Sequence, residues 1–251
     1  MCGRFAITLP PEAVRGYFGY VEQPNFPPRY NIAPTQPVPI VRAERDGDGD
    51  VRRHFRLVRW GFLPPFVKDP KDYPLVINAR SETADEKASF RHALRRRRCL
   101  FVTDGFYEWR RPPAPRKKGD IVTPFLIRRC DRLPLAMAGL WENWIGPNGE
   151  EVETACVLTT AANGTMAAVH DRMPVILERE MFETWLSLDE TASDAALALM
   201  RPAPNDLLDL CEIGPAVNKV ANDGAWIQEA VVQPLKPVAT PAPAKAQGEL
   251  F

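Results

Sequence analysis

The middle of the chain reads Cys99-Leu100-Phe101-Val102-Thr103-Asp104-Gly105-Phe106-Tyr107-Glu108-Trp109. Its first five residues are mostly apolar and β-favouring, which predicts a buried strand, and the glycine indicates a turn after it. Glu108 follows between two aromatic residues. A carboxylate against aromatic rings loses hydration, which suits it to general acid–base chemistry. A strand in which Glu108 faces outward and the rings face inward explains the pattern equally well.

β-Rich runs lie on both sides of this stretch. They cover residues 38–41, 51–60, 125–127, 135–141 and 152–160, and loop 46–50 predicts a hairpin between the first two. Helices are predicted at 11–18, 83–98, 179–188 and 192–200, the second with a capping box of Thr83 and Glu86. Because strands dominate, we expect an α+β fold with a mixed or antiparallel β-sheet core and peripheral helices. We expect one compact domain over residues 2–230 and a Pro/Ala-rich disordered tail over residues 231–251.

The charge balance limits how the protein can contact nucleic acid. Lys+Arg and Asp+Glu each number 32, so the chain has no overall basic bias. Contacts with DNA or RNA must therefore come from local patches, for which the basic runs 95–98 and 116–118 are candidates. A solvated charged surface is the alternative for both runs, and prolines around 116–118 favour it there.

The cysteines indicate a reduced protein without a metal. None of the five cysteines forms a CxxC pair, and no Cys/His cluster has zinc-ligand spacing, so we expect neither metal nor cofactor. An odd cysteine count without a signal peptide or long apolar run favours a soluble, cytoplasmic protein that does not bind or span a membrane. Cys99 and Cys156 lie in apolar runs and are predicted to be buried.

The amino terminus carries the most distinctive chemistry. The chain opens Met1-Cys2-Gly3-Arg4, and loss of Met1 would leave an α-amine and a thiol on Cys2. Such an aminothiol condenses with an aldehyde to a Schiff base, which the thiol then closes to a thiazolidine. The ordinary pKa values are about 7.7–8.0 for the amine and about 8.5 for the thiol, so both nucleophiles are partly available near neutral pH. Alternatively, Cys2 is a small residue at a frayed terminus.

Two further segments carry candidate site residues. In Val76-Ile77-Asn78-Ala79-Arg80-Ser81-Glu82-Thr83, Arg80 and the free amides of a helical turn are suited to hold an anion such as phosphate. Alternatively, Asn78 and Arg80 only fasten the turn. In Val169-His170-Asp171-Arg172-Met173-Pro174, His170 is the one histidine of three that lies among potential site partners. A lone histidine beside an aspartate is more often structural than catalytic.

Eight short motifs occur in order along the chain. They are Met1-Cys2-Gly3-Arg4, Tyr30-Asn31-Ile32-Ala33-Pro34-Thr35-Gln36, Trp60-Gly61-Phe62, Asn78-Ala79-Arg80-Ser81-Glu82-Thr83, Asp104-Gly105-Phe106-Tyr107-Glu108-Trp109, Ala138-Gly139-Leu140-Trp141, Leu158-Thr159-Thr160-Ala161-Ala162-Asn163 and His170-Asp171-Arg172-Met173-Pro174. This set closely resembles the SOS response-associated peptidase (SRAP) family, also called abasic site processing proteins, over roughly residues 2–230. The chain departs from the commoner Trp-Gly-Leu only by the conservative change to Phe62.

The resemblance implies a specific function. The family binds single-stranded DNA and DNA junctions that carry an abasic site, with a compact α+β domain and a positively charged groove. Its terminal cysteine, here Cys2, cross-links to the abasic deoxyribose through a thiazolidine. The family's catalytic asparagine, glutamate and histidine map onto Asn78, Glu108 and His170.

The resemblance also implies how DNA is held. Arginines at the positions of Arg4, Arg80 and Arg172 contact the DNA backbone in the family. Exposed apolar residues near Trp60, and Trp60 itself, are expected to contact bases. The expected partner is single-stranded DNA with an abasic site, bound by a monomer that associates with the nucleoid. Peptidase or hydrolase-type activity, with a lyase-like character, is expected at the same site.

Three other classes of function share some of these features. Class II glutamine amidotransferases also begin Met-Cys-Gly, but Arg4 and the later motifs do not resemble their glutamine pocket. A cysteine protease would use Cys2, His170 and Asn78, although self-removal of Met1 is the simpler account of peptidase activity. A non-catalytic DNA-binding module would not need Cys2.

Overall fold

The computed structural model describes residues 2–112, 122–189, 191 and 193–231. The strands are β1 Phe5–Ile7, β2 Arg29–Ile32, β3 Pro37–Arg45, β4 Val51–Trp60, β5 Asn78–Arg80, β6 Arg98–Thr103, β7 Gly105–Arg110, β8 Thr123–Arg129, β9 Leu135–Ile145, β10 Glu151–Ala161, β11 Arg172–Pro174, β12 Ile176–Leu177 and β13 Leu208–Glu212. The α-helices of these residues are α1 Pro11–Phe18, α2 Arg91–Arg96, α3 Phe182–Leu186 and α4 Ser193–Ala198. The α+β class with a mixed sheet is confirmed.

Five of the strands close into a barrel. In order around it they are β10, β4, β3, β6 and β9, and β9 pairs with β10 to complete the ring. All neighbours are antiparallel except β10 and β4, whose short parallel pairing joins Thr154 to Arg59 and Ala155 to Trp60. Closure leaves no free edge among the five strands, so their alternate side chains fill one interior.

Two short strands extend β10 beyond the barrel. β5 runs parallel to it at residues 157–159, and β11 runs antiparallel to it at residues 159–161. The end of β10 therefore lies between two strands that carry candidate site residues, Asn78 and Arg80 on β5 and Arg172 on β11.

A second sheet of five antiparallel strands has the order β13, β8, β7, β1 and β2. The chain passes from barrel to second sheet at the corner between β6 and β7. There Thr103 Oγ1 donates to the carbonyl of Ala6 at 2.6 Å, and the Asp104 amide donates to the same oxygen at 3.1 Å. The stretch 99–109 thus supplies one strand to each sheet and fastens both to the amino-terminal strand.

The aromatic interior joins the two sheets. Phe5 of β1 lies 5.1 Å from Trp60 and 6.3 Å from Phe101 between ring centroids, and the three side chains are fully buried. Burial of large aromatic side chains is a dominant source of stability in such cores. Cys99 and Cys156 are also buried, as the sequence predicts.

The helix predicted over 83–98 is wrong in its extent. A 3-10 turn occupies Ser81–Thr83, and the α-helix covers only Arg91–Arg96. Thr83 Oγ1 is buried without a hydrogen-bond partner in the described residues, so no capping box forms. The helix ends where β6 begins, because the buried Arg98 guanidinium binds the carbonyls of Leu94 and Arg95 at 2.8 and 2.7 Å.

Other sequence predictions have mixed outcomes. Strand β4 and helix α1 have the predicted bounds, and α3 and α4 lie within their predicted segments. The basic run 116–118 lies outside the described residues, as does the tail from residue 232. In the described part of the chain, no helix is long and apolar enough to cross a membrane.

Candidate functional site

Cys2 is held inside the molecule just before β1. Its side chain has no solvent exposure. β1 is hydrogen-bonded between β2 and β7, where Phe5 pairs with Ile32 and with Phe106. Burial, and then the charge of nearby Glu108, raise the pKa of the Cys2 thiol to about 12. The terminus is therefore not frayed, and its thiol is protonated near neutral pH.

Asn78 fixes the backbone of Cys2 from the start of β5. Its Nδ2 donates to the Cys2 carbonyl at 2.9 Å, across 76 residues of sequence. Its Oδ1 is buried, and no described group donates to it. A buried amide oxygen without a donor costs free energy, so it is an acceptor available to a group that enters beside Cys2.

Glu108 faces this position from β7. The residue is 3% exposed, so the arrangement in which it faces outward is excluded. Its charge contributes, after burial, to the raised pKa of the Cys2 thiol. Next to it along β7, the Tyr107 amide donates to the Arg4 carbonyl at 2.9 Å and fixes the register of the terminus.

His170, Arg172 and Arg80 lie around the end of β10. His170 Nδ1 is 2.8 Å from Asp171 Oδ1 and accepts from the Arg172 amide at 2.9 Å. Arg172 is mostly buried, and its Nη2 donates to Glu82 Oε2 at 2.8 Å and to the Thr159 carbonyl at 2.6 Å. Arg80 is exposed, and its charge acts on Glu82 two residues further along the chain.

Strand β5 connects the two groups of residues. Asn78 and Arg80 are two positions apart on it, so their side chains project from the same face, about 6.6 Å apart along the strand. A hydrogen bond joins Asn78 to Cys2, and the charge of the buried Glu108 acts on the Cys2 thiol. Arg80 and Arg172 lie next to that centre, on the strands flanking β10.

Arg4 is anchored in the protein. Its Nη1 donates to Asn31 Oδ1 at 2.7 Å and to the Val217 carbonyl at 2.9 Å, and its guanidinium lies 6.0 Å from the Trp109 ring. Burial lowers the pKa of Arg4. A contact between Arg4 and a DNA phosphate therefore has to use guanidinium nitrogens other than Nη1.

Trp60 is fully buried, so the expectation that its own ring contacts bases does not fit this structure. It has no exposed surface, it packs against Phe5 and Phe101, and its Nε1 donates to the Ile77 carbonyl at 3.0 Å. Its alternation within β4 directs the ring into the barrel. The neighbouring loop does expose apolar side chains, Phe66 at 58% and Leu75 at 51%.

Sequence reasoning missed several residues that build the site. Asn31 is buried and donates to the carbonyls of Val217, Lys219 and Asn222, which fastens β2 and Arg4 to the carboxyl-terminal segment. A polar side chain within a β-rich run is the sequence feature that could have indicated this anchoring role. Glu82 pairs with Arg172 across 90 residues, a contact for which the sequence holds no local signal.

The described residues show no group of three or more His, Cys, Asp or Glu side chains that is suited to hold a metal ion. The chemistry available at the site is that of a buried thiol, an amide, a carboxylate, an imidazole and arginines. Together these groups can place a nucleophile, move a proton and bind an anion.

Comparison with known proteins gives consistent results. The family model described as SOS response associated peptidase (SRAP) matches residues 1–220. The chain is 35% identical to abasic site processing protein YoqW of Bacillus subtilis (strain 168), covering 91% of this chain and 99% of that protein. It is 30% identical to abasic site processing protein HMCES of Xenopus tropicalis, over 92% of this chain and 79% of that one.

Solved structures share the fold. A protein from Bacteroides thetaiotaomicron superposes with a TM-score of 0.77 at 24% identity, over 92% of this chain and all of that one. A protein from Bordetella bronchiseptica superposes with a TM-score of 0.69 at 26% identity, over 85% of this chain and all of that one.

Proposed function

Because the chain belongs to the SOS response associated peptidase (SRAP) family, we propose that it recognises abasic sites in single-stranded DNA and binds them covalently through Cys2. The observation that carries this proposal is the anchoring of Cys2 by Asn78 beside the buried Glu108. The names of the relatives support it, since the chain covers nearly the full length of the bacterial abasic site processing protein that it matches at 35% identity.

The proposed reaction starts from the open-chain form of the abasic sugar. Hydrolysis of the Met1–Cys2 bond first frees the α-amine, either by the protein itself or by an aminopeptidase. The amine then adds to the C1′ aldehyde and loses one water to form an imine. The Cys2 thiol adds to the imine carbon, its proton passes to the nitrogen, and the thiazolidine ring closes with no further atom lost.

The site residues supply the proton transfers and the placement. The thiol is protonated near neutral pH, so its addition to the imine needs a proton acceptor, and the neighbouring Glu108 takes this role. Asn78 Oδ1, buried and without a described donor, accepts from the freed amine and directs it. His170 donates a proton to the ring oxygen as the sugar opens.

The arginines hold the DNA without reading its sequence. Arg80 is exposed next to Asn78 and is placed to bind a phosphate. Because the chain has no net charge, such local contacts provide the electrostatic attraction, and binding weakens as salt rises. Because Cys2 and Glu108 are buried, the proposed site favours a sugar without its base over an intact nucleotide. In this proposal the protein acts as a monomer in the cytoplasm, associated with the nucleoid when bound.

Peptidase activity is a second candidate function at the same residues. We limit it to removal of Met1, because the Met1–Cys2 bond adjoins the carbonyl that Asn78 binds. If Glu108 serves both reactions, Glu108→Gln will retain Met1 and will also lose cross-linking.

Denaturing gel electrophoresis tests the proposed function. Protein with a mass-verified Cys2 terminus is mixed with single-stranded DNA that carries one abasic site, and with the same DNA intact. We expect a heat- and detergent-stable adduct with the abasic strand, which Cys2→Ala abolishes. Cys130→Ala is the matched control, because Cys130 is an exposed cysteine just after β8, whereas Cys2 is buried. Absence of the band with correctly processed wild type would refute cross-linking.

A further inference from the structure

Glu82 follows Arg80 by two residues and pairs with Arg172 of β11. It binds both terminal nitrogens of Arg172, through Nη1 to Oε1 and through Nη2 to Oε2 at 2.8 Å. The Glu82 side chain is half-exposed, whereas Arg172 is mostly buried. The hydrogen bond from Arg172, together with the charges of Arg172 and Arg80, lowers the pKa of Glu82 below its usual value despite partial burial. Glu82 is therefore ionised at neutral pH, and its negative charge attracts both arginines.

The geometry restricts what Arg172 can offer to DNA. Besides Glu82, its Nη2 binds the Thr159 carbonyl at 2.6 Å, and its Nε is buried without a described acceptor. A planar guanidinium held on two sides has a fixed orientation. A phosphate that approaches Arg172 meets a rigid group whose charge is already balanced by a carboxylate.

We propose that Glu82 is a positioning and selectivity residue, which orients Arg172 at the lesion and weakens the hold of the site on undamaged DNA. The inference rests on the proposed function and deepens it. With Glu82 ionised, the group of Arg80, Glu82 and Arg172 carries one net positive charge instead of two. Intact DNA, held only through its phosphates, loses affinity in proportion. For an abasic strand, the covalent bond to Cys2 compensates for this lower affinity.

The two roles predict opposite effects for Glu82→Gln. Removal of the carboxylate frees Arg172 for a phosphate, so affinity for intact single-stranded DNA rises about fivefold, the upper range for an ion pair with one half-exposed partner. The slope of log K against log salt becomes steeper by about 0.7, the value for one additional phosphate of a single strand. At saturating abasic DNA, the cross-linking rate falls about tenfold, because Arg172 is no longer oriented.

Two further variants separate charge from position. Glu82→Asp keeps the charge but shortens the side chain, so we expect a slower cross-linking rate with the salt slope of wild type. Asp209→Asn is the matched control, because it also removes one negative charge from an exposed ion pair, with Arg132 at 2.8 Å, on edge strand β13. It should leave both the salt slope and the rate unchanged.

The measurements are fluorescence anisotropy of labelled intact DNA over a range of salt, and single-turnover cross-linking followed on denaturing gels. Tighter binding with slower cross-linking in Glu82→Gln supports the proposal. An unchanged salt slope overturns the selectivity role, and an unchanged cross-linking rate in both Glu82 variants overturns the positioning role. If wild type forms no Cys2-dependent adduct, the proposed function fails, while the salt slopes still decide whether Glu82 opposes DNA binding.

Discussion

At the scale of single residues, Cys2 combines two features that bear on its reactivity. Its carbonyl is fixed by Asn78 at 2.9 Å, and its thiol is buried with a pKa of about 12. A protonated thiol is a weak nucleophile, so the amine is the group expected to react first with an aldehyde. In the proposed reaction, the thiol then adds to an imine that is already in place, and Glu108 accepts its proton.

This order of steps predicts the behaviour of Cys2→Ser. The variant keeps the α-amine, so it still forms an imine with abasic DNA, which borohydride reduction traps. Because a hydroxyl adds to an imine far less well than a thiol, the heat-stable adduct without borohydride should fall about tenfold or more. Gel electrophoresis with and without the reductant measures both species. A heat-stable adduct at the wild-type level without borohydride would contradict ring closure by the thiol.

At the scale of elements, the corner between β6 and β7 holds the amino-terminal strand in place. Asp104 Oδ2 accepts from the Thr8 amide at 2.6 Å, the Thr8 hydroxyl at 2.7 Å and the Leu9 amide at 2.9 Å. Asp104 is buried, and this burial raises its pKa. One side chain thus fixes the end of β1, the strand that positions Cys2.

Asp104→Ala should lower the free energy of unfolding by about 3 kcal/mol, because it leaves two backbone amides and a hydroxyl without their acceptor. Asp104→Asn, which retains an acceptor oxygen, should lose less. Urea unfolding measures both changes. Equal stability of wild type and Asp104→Ala would show that the corner does not depend on this side chain.

The pH dependence of the same residue has a defined sign. Because the folded-state pKa of Asp104 is raised above its usual value of 3.8, the folded protein binds the proton more tightly than the unfolded chain does. The stability of wild type relative to Asp104→Asn should therefore be greatest below pH 3.8. It should decline as pH rises through the raised pKa and stay constant above it. A difference that grows with pH would contradict the burial effect.

At the scale of the whole molecule, closure of the barrel depends on close approach of its strands at Gly139. A Cβ at this position would lie 2.6 Å from two carbons of the Phe101 ring and 3.0 Å from the Cys156 carbonyl oxygen. The residue pairs with Cys99 of β6 and Val157 of β10, so it lies where β9 joins both neighbours. The glycine therefore leaves room for the Phe101 ring at the position where β9 pairs with β10 and closes the barrel.

Gly139→Ala should lower the free energy of unfolding by about 2 kcal/mol, since it forces either the ring or a strand to move. Gly47→Ala is the control, because a Cβ there meets no atom within 4 Å, and it should change stability by less than about 0.5 kcal/mol. Equal urea midpoints for the two variants would show that the barrel accommodates the added methyl group without loss of stability.

Local pattern was sufficient for much of the fold. β4 and α1 have their predicted bounds, and the hairpin at 46–50 forms. Alternation and turn residues act between near neighbours, so one sequence reveals them. The helix predicted from Thr83 begins only at Arg91, because Thr83 lies in a 3-10 turn and its buried hydroxyl forms no capping box, and Arg98 binds the carbonyls at the end of the helix.

The sequence by itself determined the family, the α+β class and the chemical types at the site, because these depend on ordered motifs and local periodicity. Only the tertiary structure decided that Trp60 faces the core, that Glu108 is buried beside Cys2, and that Glu82 binds Arg172. The physical reason is distance along the chain. Asn78 meets Cys2 across 76 residues and Arg172 meets Glu82 across 90, and such contacts follow from strand pairing rather than from local pattern.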